Sequence, residues 1–383
     1  MMKFSYSNTT QIFFGEGQIA QLSRCLPEDK KVLLLYGGGS IKKNGVYEQV
    51  AQALEGHQWG EFSGIEPNPQ YDTLMRAVEK IKQEGFDYLL AVGGGSVADG
   101  AKFIAAAACF AGDDPWQILT QGAVVAQALP LGCILTLPAT GSETNTNSVV
   151  NRGHEKRGFS SSKVRPEFAI LDPATTLSLP LHYSINGVVD AYVHVMEQYL
   201  TYPVNAKVQD RFAEGLLLTL IEEGPKLLTT PDDLEVRANI MWAATQALNG
   251  LLGVGVPQDW ATHMIGHELT GLYGVDHARS LSIVLPALMD YCRQDKRAKL
   301  LQYAERVWQL SEGSEEERIQ SAIRLTADFF HRLGAPIHLS EVDLGAEAID
   351  AVIEQLEAHQ MFPLGEQGKL GADEVRALLK RAL

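Results

Sequence analysis

The 383-residue chain has no surplus of positive charge: 32 lysines and arginines stand against 47 aspartates and glutamates, for a formal net charge of -15. A polyanion needs a basic face to release its counterions, so neither nucleic acid nor an anionic membrane is expected as the main partner. A phosphorylated ligand must instead be held by local groups, namely loop amides, helix N-termini and a few lysines. Cysteine is scarce as well. Cys25, Cys109, Cys133 and Cys292 lie far apart with no Cys-x-x-Cys spacing, which argues against a zinc knuckle or a redox pair and leaves four reduced core residues. No apolar run reaches the ~18 residues of a membrane span, and Met1 to Thr10 is polar. A cytoplasmic protein is the expectation.

What is present is the composition of a compact protein, with 45% hydrophobic and 21% charged residues, so the chain is expected to fold throughout. Its length exceeds one ordinary core, and two domains follow. From Lys31 to about Pro173, apolar runs at Val32 to Tyr36, Tyr88 to Val92, Ile134 to Leu137 and Phe168 to Leu171 read as parallel strands buried on both faces. Helix-period stretches lie between them at Val46 to Leu54, Tyr71 to Gln83 and Val97 to Phe110. The reading for residues 1–180 is therefore a doubly wound, Rossmann-like α/β domain. After Pro180 the segments Gly187 to Leu200, Asp210 to Glu222, Val236 to Asn249, Trp260 to Leu272, Ser280 to Tyr291 and Ala298 to Leu310 all read as helices. Residues 181–383 are expected to form an all-α domain, and with no low-complexity linker the two are expected to pack around a cleft.

Two glycine turns in the first domain follow predicted strands. Tyr88 to Val92 runs into Gly93-Gly94-Gly95-Ser96-Val97-Ala98-Asp99, where glycines let a pyrophosphate approach the backbone and the next helix offers free amides and a positive dipole end. The structural alternative is a tight connection in which Ser96 and Asp99 form an S-x-x-D capping box. The second turn, Tyr36-Gly37-Gly38-Gly39-Ser40, is followed by Lys42 and Lys43. A hydroxyl, bare amides and a lysine without a nearby carboxylate suit the extra phosphate of NADP, whereas an acidic side chain would favour the ribose diol of NAD. A third segment, Thr136-Leu137-Pro138-Ala139-Thr140-Gly141-Ser142-Glu143, closes another strand with hydroxyls and reads alone as a Ser/Thr-rich turn.

In the second domain Asp190 and His194 are four residues apart on one helical segment, and so are His263 and His267 on another, so each pair shares a face. His277 follows the turn Gly274-Val275-Asp276. Three imidazoles and a carboxylate make a site for a borderline divalent metal such as Fe2+ or Zn2+, although any one such pair is more often an ordinary polar contact. His267-Glu268 lacks the second histidine of a zinc-protease helix, since Gly271 stands there, and a protease is not expected.

These motifs together resemble the iron-containing (group III) alcohol dehydrogenases, in particular the butanol dehydrogenase and NADPH-dependent aldehyde reductase subgroup. The resemblance spans nearly the whole chain. It includes Phe14-Gly15-Glu16-Gly17, the Tyr36 to Ser40 turn, Gly64-Ile65-Glu66-Pro67-Asn68-Pro69, Gly93 to Lys102, Thr136 to Glu143, Leu171-Asp172-Pro173, Asn186 to His194, His263 to Leu269 and Asp276-His277. It implies a dehydroquinate synthase-like architecture, with Asp190, His194, His263 and His277 as metal ligands and His267 placed between metal and nicotinamide. Gly38 falls where NAD-using relatives carry aspartate. The cofactor positions map onto Gly38, Gly39, Ser40, Asn68, Gly94, Gly95, Ser96, Thr136, Thr140, Asn147, Lys156, Thr175 and Ser178, with Asp99 beside them in the same turn. The segment before Gly141 is shorter than in many members.

The function expected is hydride transfer between NADP(H) and a metal-polarised carbonyl, mainly as aldehyde reduction, with His267 or a water it orients returning a proton. A dehydroquinate-synthase-like lyase and a non-catalytic cofactor-binding protein are the alternatives. The resemblance further implies a homodimer paired through an N-terminal strand at Gln11 to Phe14.

Overall fold

The computed structural model describes residues 1–153 and 155–383. They form two compact units, one of residues 7–180 and 232–245, the other of residues 1–6, 181–231 and 246–383.

The first unit is α/β. Along it run β1 (Gln11–Phe14), α1 (Leu22–Cys25), β2 (Lys31–Tyr36), α2 (Val46–Ala53), β3 (Gln58–Phe62), α3 (Tyr71–Glu84), β4 (Tyr88–Gly94), α4 (Gly95–Ala108), α5 (Gln117–Thr120), β5 (Leu131–Leu137), β6 (Asn147–Arg152), β7 (Glu155–Ser160) and β8 (Phe168–Leu171). Six strands make one sheet in the order β1-β8-β5-β4-β2-β3, with every neighbouring pair parallel. The period-2 geometry of a strand sends Leu33, Leu35, Leu89 and Ala91 into a core shared with Leu74 and Val78 of α3 and Phe103 and Ile104 of α4. Val32, Leu34, Leu90 and Val92 enter the opposite core with Val46 and Val50 of α2. Helices cover both faces, so these strands are apolar without alternation.

β3 and the antiparallel hairpin β6-β7 were not anticipated by hydrophobic pattern, because their residues are mostly half-buried or exposed and mixed in polarity. Residues 232–245 also join this unit. Met241 packs with Leu135 and Leu171, and the buried Arg237 donates to the Thr176 carbonyl at 2.6 Å.

The sheet fixes where ligands can go. From β2 the chain moves outward to β3 and then returns to the other side of β2 as β4, so the topology reverses between β2 and β4. Ligands of open α/β sheets bind at the carboxyl ends of strands beside such a reversal, and here those ends carry Gly37 to Ser40 and Gly93 to Ser96.

The second unit is helical: α6 (Leu181–Tyr199), α7 (Lys207–Glu223), the end of α8 (Leu234–Ala247), α9 (Ala261–Tyr273), α10 (His277–Tyr291), α11 (Arg297–Arg306), α12 (Glu315–Arg332), α13 (Ala346–Ala358) and α14 (Ala372–Leu379). α6 is buried continuously from Gly187 to Tyr199 and starts at Leu181, before the Gly187 expected from sequence. A glycine inside a helix costs about 1 kcal/mol, which burial of the surrounding face readily offsets. α9, α10, α13 and α14 share one core through Ile265, Leu269, Val284, Leu288, Val352, Leu356, Val375 and Leu378. Among the described residues no helix is long and apolar enough to cross a membrane.

Candidate metal centre and cofactor loops

α6 carries Asp190 and His194 on one face, α9 carries His263 and His267, and His277 is the first residue of α10. Gly274, at φ +68, reverses the chain between α9 and α10. Gly266 lets these two helices approach, since a Cβ there would lie 2.8 Å from both the Leu281 Cδ2 and Ser280 Oγ atoms. The outcome is one cluster. The Nε2 atoms of His194, His263 and His277 lie 3.6, 3.7 and 3.7 Å from Asp190 Oδ1. Ligand atoms of Asp190, His263 and His277 all fall within 4.8 Å of one another. The His194 and His263 rings stack with centroids 4.6 Å apart.

Asp190, His194 and His263 are buried and the His277 side chain is 25% exposed, so the cluster is open on the His277 side. Burial alone would push the Asp190 carboxyl up, but the histidines, His194 foremost, hold it well below the usual carboxylate range. Burial opposes charge on His263, yet Glu197 and Asp190 raise its pKa to about 9. A field that draws a proton onto His263 also draws a divalent cation, which displaces it. Asp190 Oδ1 and His263 Nε2 are buried and have no hydrogen-bond partner, an arrangement that costs free energy unless something meets them. Bonds of the usual length to a tetrahedral Zn2+ or similar ion would separate ligand atoms by about 3.3 to 3.6 Å. Asp190, His263 and His277 fit such an ion with small adjustment, while His194, 3.6 Å from Asp190 Oδ1 but outside that group of three, must shift to join them.

His267 stands one helical turn after His263, outside that set, with its ring centroid 5.0 Å from His277 and 6.1 Å from His263. Trp260 precedes α9 at φ +67, where a bulky side chain is an outlier. Its indole meets the His263 ring edge-on at 5.3 Å and that of His194 at 6.2 Å, forming an aromatic wall beside two of the imidazoles.

In the α/β unit, several predicted cofactor residues are linked to one another. Ser96 Oγ accepts from the Asn68 amide at 3.3 Å, and Lys156 Nζ donates to Asn68 Oδ1 at 3.2 Å. A Cβ on Gly95 would come within 2.3 Å of Thr140 Oγ1, and one on Gly94 within 3.0 Å of Leu137 Cβ. A Cβ on Gly38 or Gly39 would meet nothing within 4 Å. Gly39, at φ +90, precedes the turn Ser40–Lys42. Thr136 is buried near the end of β5, and Asn147 is exposed at the start of β6. Thr175 spends its hydroxyl on the Leu135 and Asp172 carbonyls, and Ser178 Oγ accepts from Asn44 Nδ2.

The structure departs from the sequence expectation at Asp99 and at Lys42. The S-x-x-D capping box does not form, because α4 has Gly94 at its N-cap with no side-chain cap. Asp99 instead accepts from Ser142 Oγ and, at 2.9 Å, from the Val149 amide. Nor is Lys42 without a carboxylate. β3 runs beside β2 and brings Glu61 to 3.1 Å from Lys42 Nζ, a pairing hidden by the separation in sequence.

Residues 9–173 match the iron-containing alcohol dehydrogenase family, and residues 184–383 match the Fe-containing alcohol dehydrogenase family, C-terminal. The chain belongs to the iron-containing alcohol dehydrogenases. Among members of that family it is 56% identical to the NADPH-dependent aldehyde reductase YqhD of Escherichia coli strain K12, with 100% of both chains covered. It is 37% identical to NADH-dependent butanol dehydrogenase B of Clostridium acetobutylicum, again over 100% of both. The crystal structure of the Escherichia coli K-12 YqhD protein superposes with a TM-score of 0.98 at 55% identity, covering 100% of this chain and 99% of that one. That of NADH-dependent butanol dehydrogenase A from Thermotoga maritima gives 0.95 at 37% identity, with 100% and 99% covered.

Glu197 was missed by sequence reasoning. Its signal was present, since Asp190, His194 and Glu197 follow an i, i+4, i+7 spacing and so form one acidic and imidazole stripe on a buried helix.

Proposed function

We propose that this iron-containing alcohol dehydrogenase acts as an NADPH-dependent aldehyde reductase, with one divalent metal, Fe2+ or Zn2+, held by Asp190, His194, His263 and His277. The observation that carries the reading is the convergence of three Nε2 atoms on a buried carboxylate oxygen that has no hydrogen-bond partner. A cation held there would polarise the carbonyl oxygen of an aldehyde as a Lewis acid, and NADPH would supply the hydride.

The chain's own residues supply the rest. The backbone at Gly38, Gly39, Gly94 and Gly95 and the hydroxyls of Ser40 and Ser96 receive the cofactor phosphates, with Asn68, Asp99, Thr136, Thr140, Asn147, Lys156, Thr175 and Ser178 completing the cofactor set. Trp260 forms an apolar wall that suits an aldehyde tail. His267, on the open side near His277, returns a proton to the developing alkoxide directly or through a water. His267→Asn should lower the rate and flatten its pH profile; an unchanged profile removes that role.

The open space at Gly38 and the identity with an NADPH-dependent relative support NADP(H) over NAD(H). We further propose a homodimer. β1 is an edge strand paired with β8 alone among the described strands, so its other backbone edge is available to a second copy. Four cysteine thiols without disulfides accord with a cytoplasmic location.

The deciding assay strips the protein of metal, rebuilds it with Fe2+, Zn2+, Mn2+ or Ni2+, and follows NADPH and NADH oxidation over an aldehyde panel. Metal-dependent net consumption of NADPH is the expected result. Turnover without net consumption overturns it, as a lyase that recycles its cofactor would behave that way.

A further inference from the structure

Glu197 is one turn beyond His194 on α6, and its side chain is 2% exposed. Oε1 accepts the backbone N–H groups of Thr262, at 2.6 Å, and His263, at 3.3 Å, while Oε2 meets His263 Nδ1 in a short hydrogen bond. The main-chain carbonyl of the same residue accepts the Asp259 amide at 2.9 Å. α9 begins without a side-chain cap from Trp260, the residue just before it. Its leading amides go instead to Asp259 Oδ1, which takes Ala261 N–H at 2.9 Å, and to Glu197. Asp259 is in turn held by Lys296 at 2.7 Å, and Lys296 also holds Glu366 at 2.8 Å.

The pattern has a chemical consequence. Two backbone donors fix Oε1, so the remaining oxygen faces the imidazole as an acceptor and His263 carries its proton on Nδ1. The lone pair then lies on Nε2, the buried atom aimed at the Asp190 cluster 3.7 Å away. We infer that Glu197 is a positioning residue of the metal centre, fixing the His263 tautomer and ring orientation so that Nε2 is the nitrogen presented to the cation. A histidine ligand whose other ring nitrogen donates to a carboxylate is oriented and made more basic by it. Asp190, His194 and Glu197 thus give α6 both ligands and the support for a third ligand on α9. The inference rests on the metal reading above.

Glu197→Gln separates this role from helix capping. Its carbonyl oxygen still receives the Thr262 and His263 amides, but the amide nitrogen now donates to Nδ1 and leaves the proton on Nε2, where it blocks coordination. With Zn2+ as the probe and a chromophoric chelator as competitor, the variant is expected to bind about 10- to 100-fold more weakly than the unaltered protein. The metal-free variant should still melt cooperatively, at a lower temperature because the buried Glu197–His263 charge pair is lost. Equal Zn2+ affinity in the two proteins overturns the inference, and failure of the unaltered protein to bind one equivalent overturns the metal reading itself. Should Glu197→Gln not fold, the unaltered Zn2+-loaded protein labelled with 15N-histidine gives the decision. His263 is expected to be protonated on Nδ1 and bound through Nε2; the opposite assignment overturns the inference.

Discussion

At the ends of β2 and β4 the candidate cofactor loops present bare backbone, whereas α6 and α9 bury Asp190, His194, Glu197 and His263 within a few ångströms of one another. The first region works by leaving room, and adding an atom damages it. The second works by mutual satisfaction of charges and hydrogen bonds, and removing a group damages it. Small additions to the loops should therefore alter cofactor binding with the fold intact, while deletions among the buried groups should cost either the metal or stability.

The largest effect is expected from Asp190→Ala, which takes the central oxygen from the three imidazoles. Lewis-acid assistance is worth several kcal/mol, so aldehyde reduction should fall by about 1,000-fold or more. Elemental analysis of the purified variant should find the metal lost as well. Lys296→Met asks whether the charges behind α9 are equally interdependent. It leaves Asp259 and Glu366, both nearly inaccessible, without their cation, and urea unfolding should show a loss of about 3–5 kcal/mol.

In the loops the effects should be smaller and confined to the cofactor. Gly38→Asp adds a carboxylate where a Cβ meets nothing within 4 Å. A like charge about 4 Å from a phosphate costs about 1 to 4 kcal/mol between water and a protein surface. The ratio of kcat/KM for NADPH over NADH should therefore fall by roughly 10- to 100-fold. Gly95→Ala should act by crowding Thr140, since the new Cβ would fall 2.3 Å from its Oγ1. Overpacking of about 1–3 kcal/mol should raise the KM for NADPH by roughly tenfold and change kcat little. Thr140→Ala in the same protein should recover part of the loss; no recovery would assign the effect to the β4 turn itself.

The same contrast governs what could be read from the amino-acid order. Strands such as Tyr88 to Val92 and the turn that follows them are local, so spacing alone located β2, β4, β5 and β8 and the glycine loops. The residues of the proposed metal centre were visible as pairs on single helices, Asp190 with His194 and His263 with His267, and family resemblance joined the pairs across the intervening chain. Contacts made only by tertiary structure left no local trace. Glu61 reaches Lys42 because β3 lies beside β2, and Met241 returns to the α/β unit from a helix whose sequence resembles its helical neighbours. Glu197 lay between these cases: its spacing from His194 was legible, but its partner on α9 was not.

The most direct test of the account is the anomalous difference density measured at the metal absorption edge in a crystal of the metal-loaded protein. A single peak bonded to Asp190, His194, His263 and His277 is the predicted result. A peak held by other residues, with these four side chains hydrogen-bonded only among themselves, would contradict it.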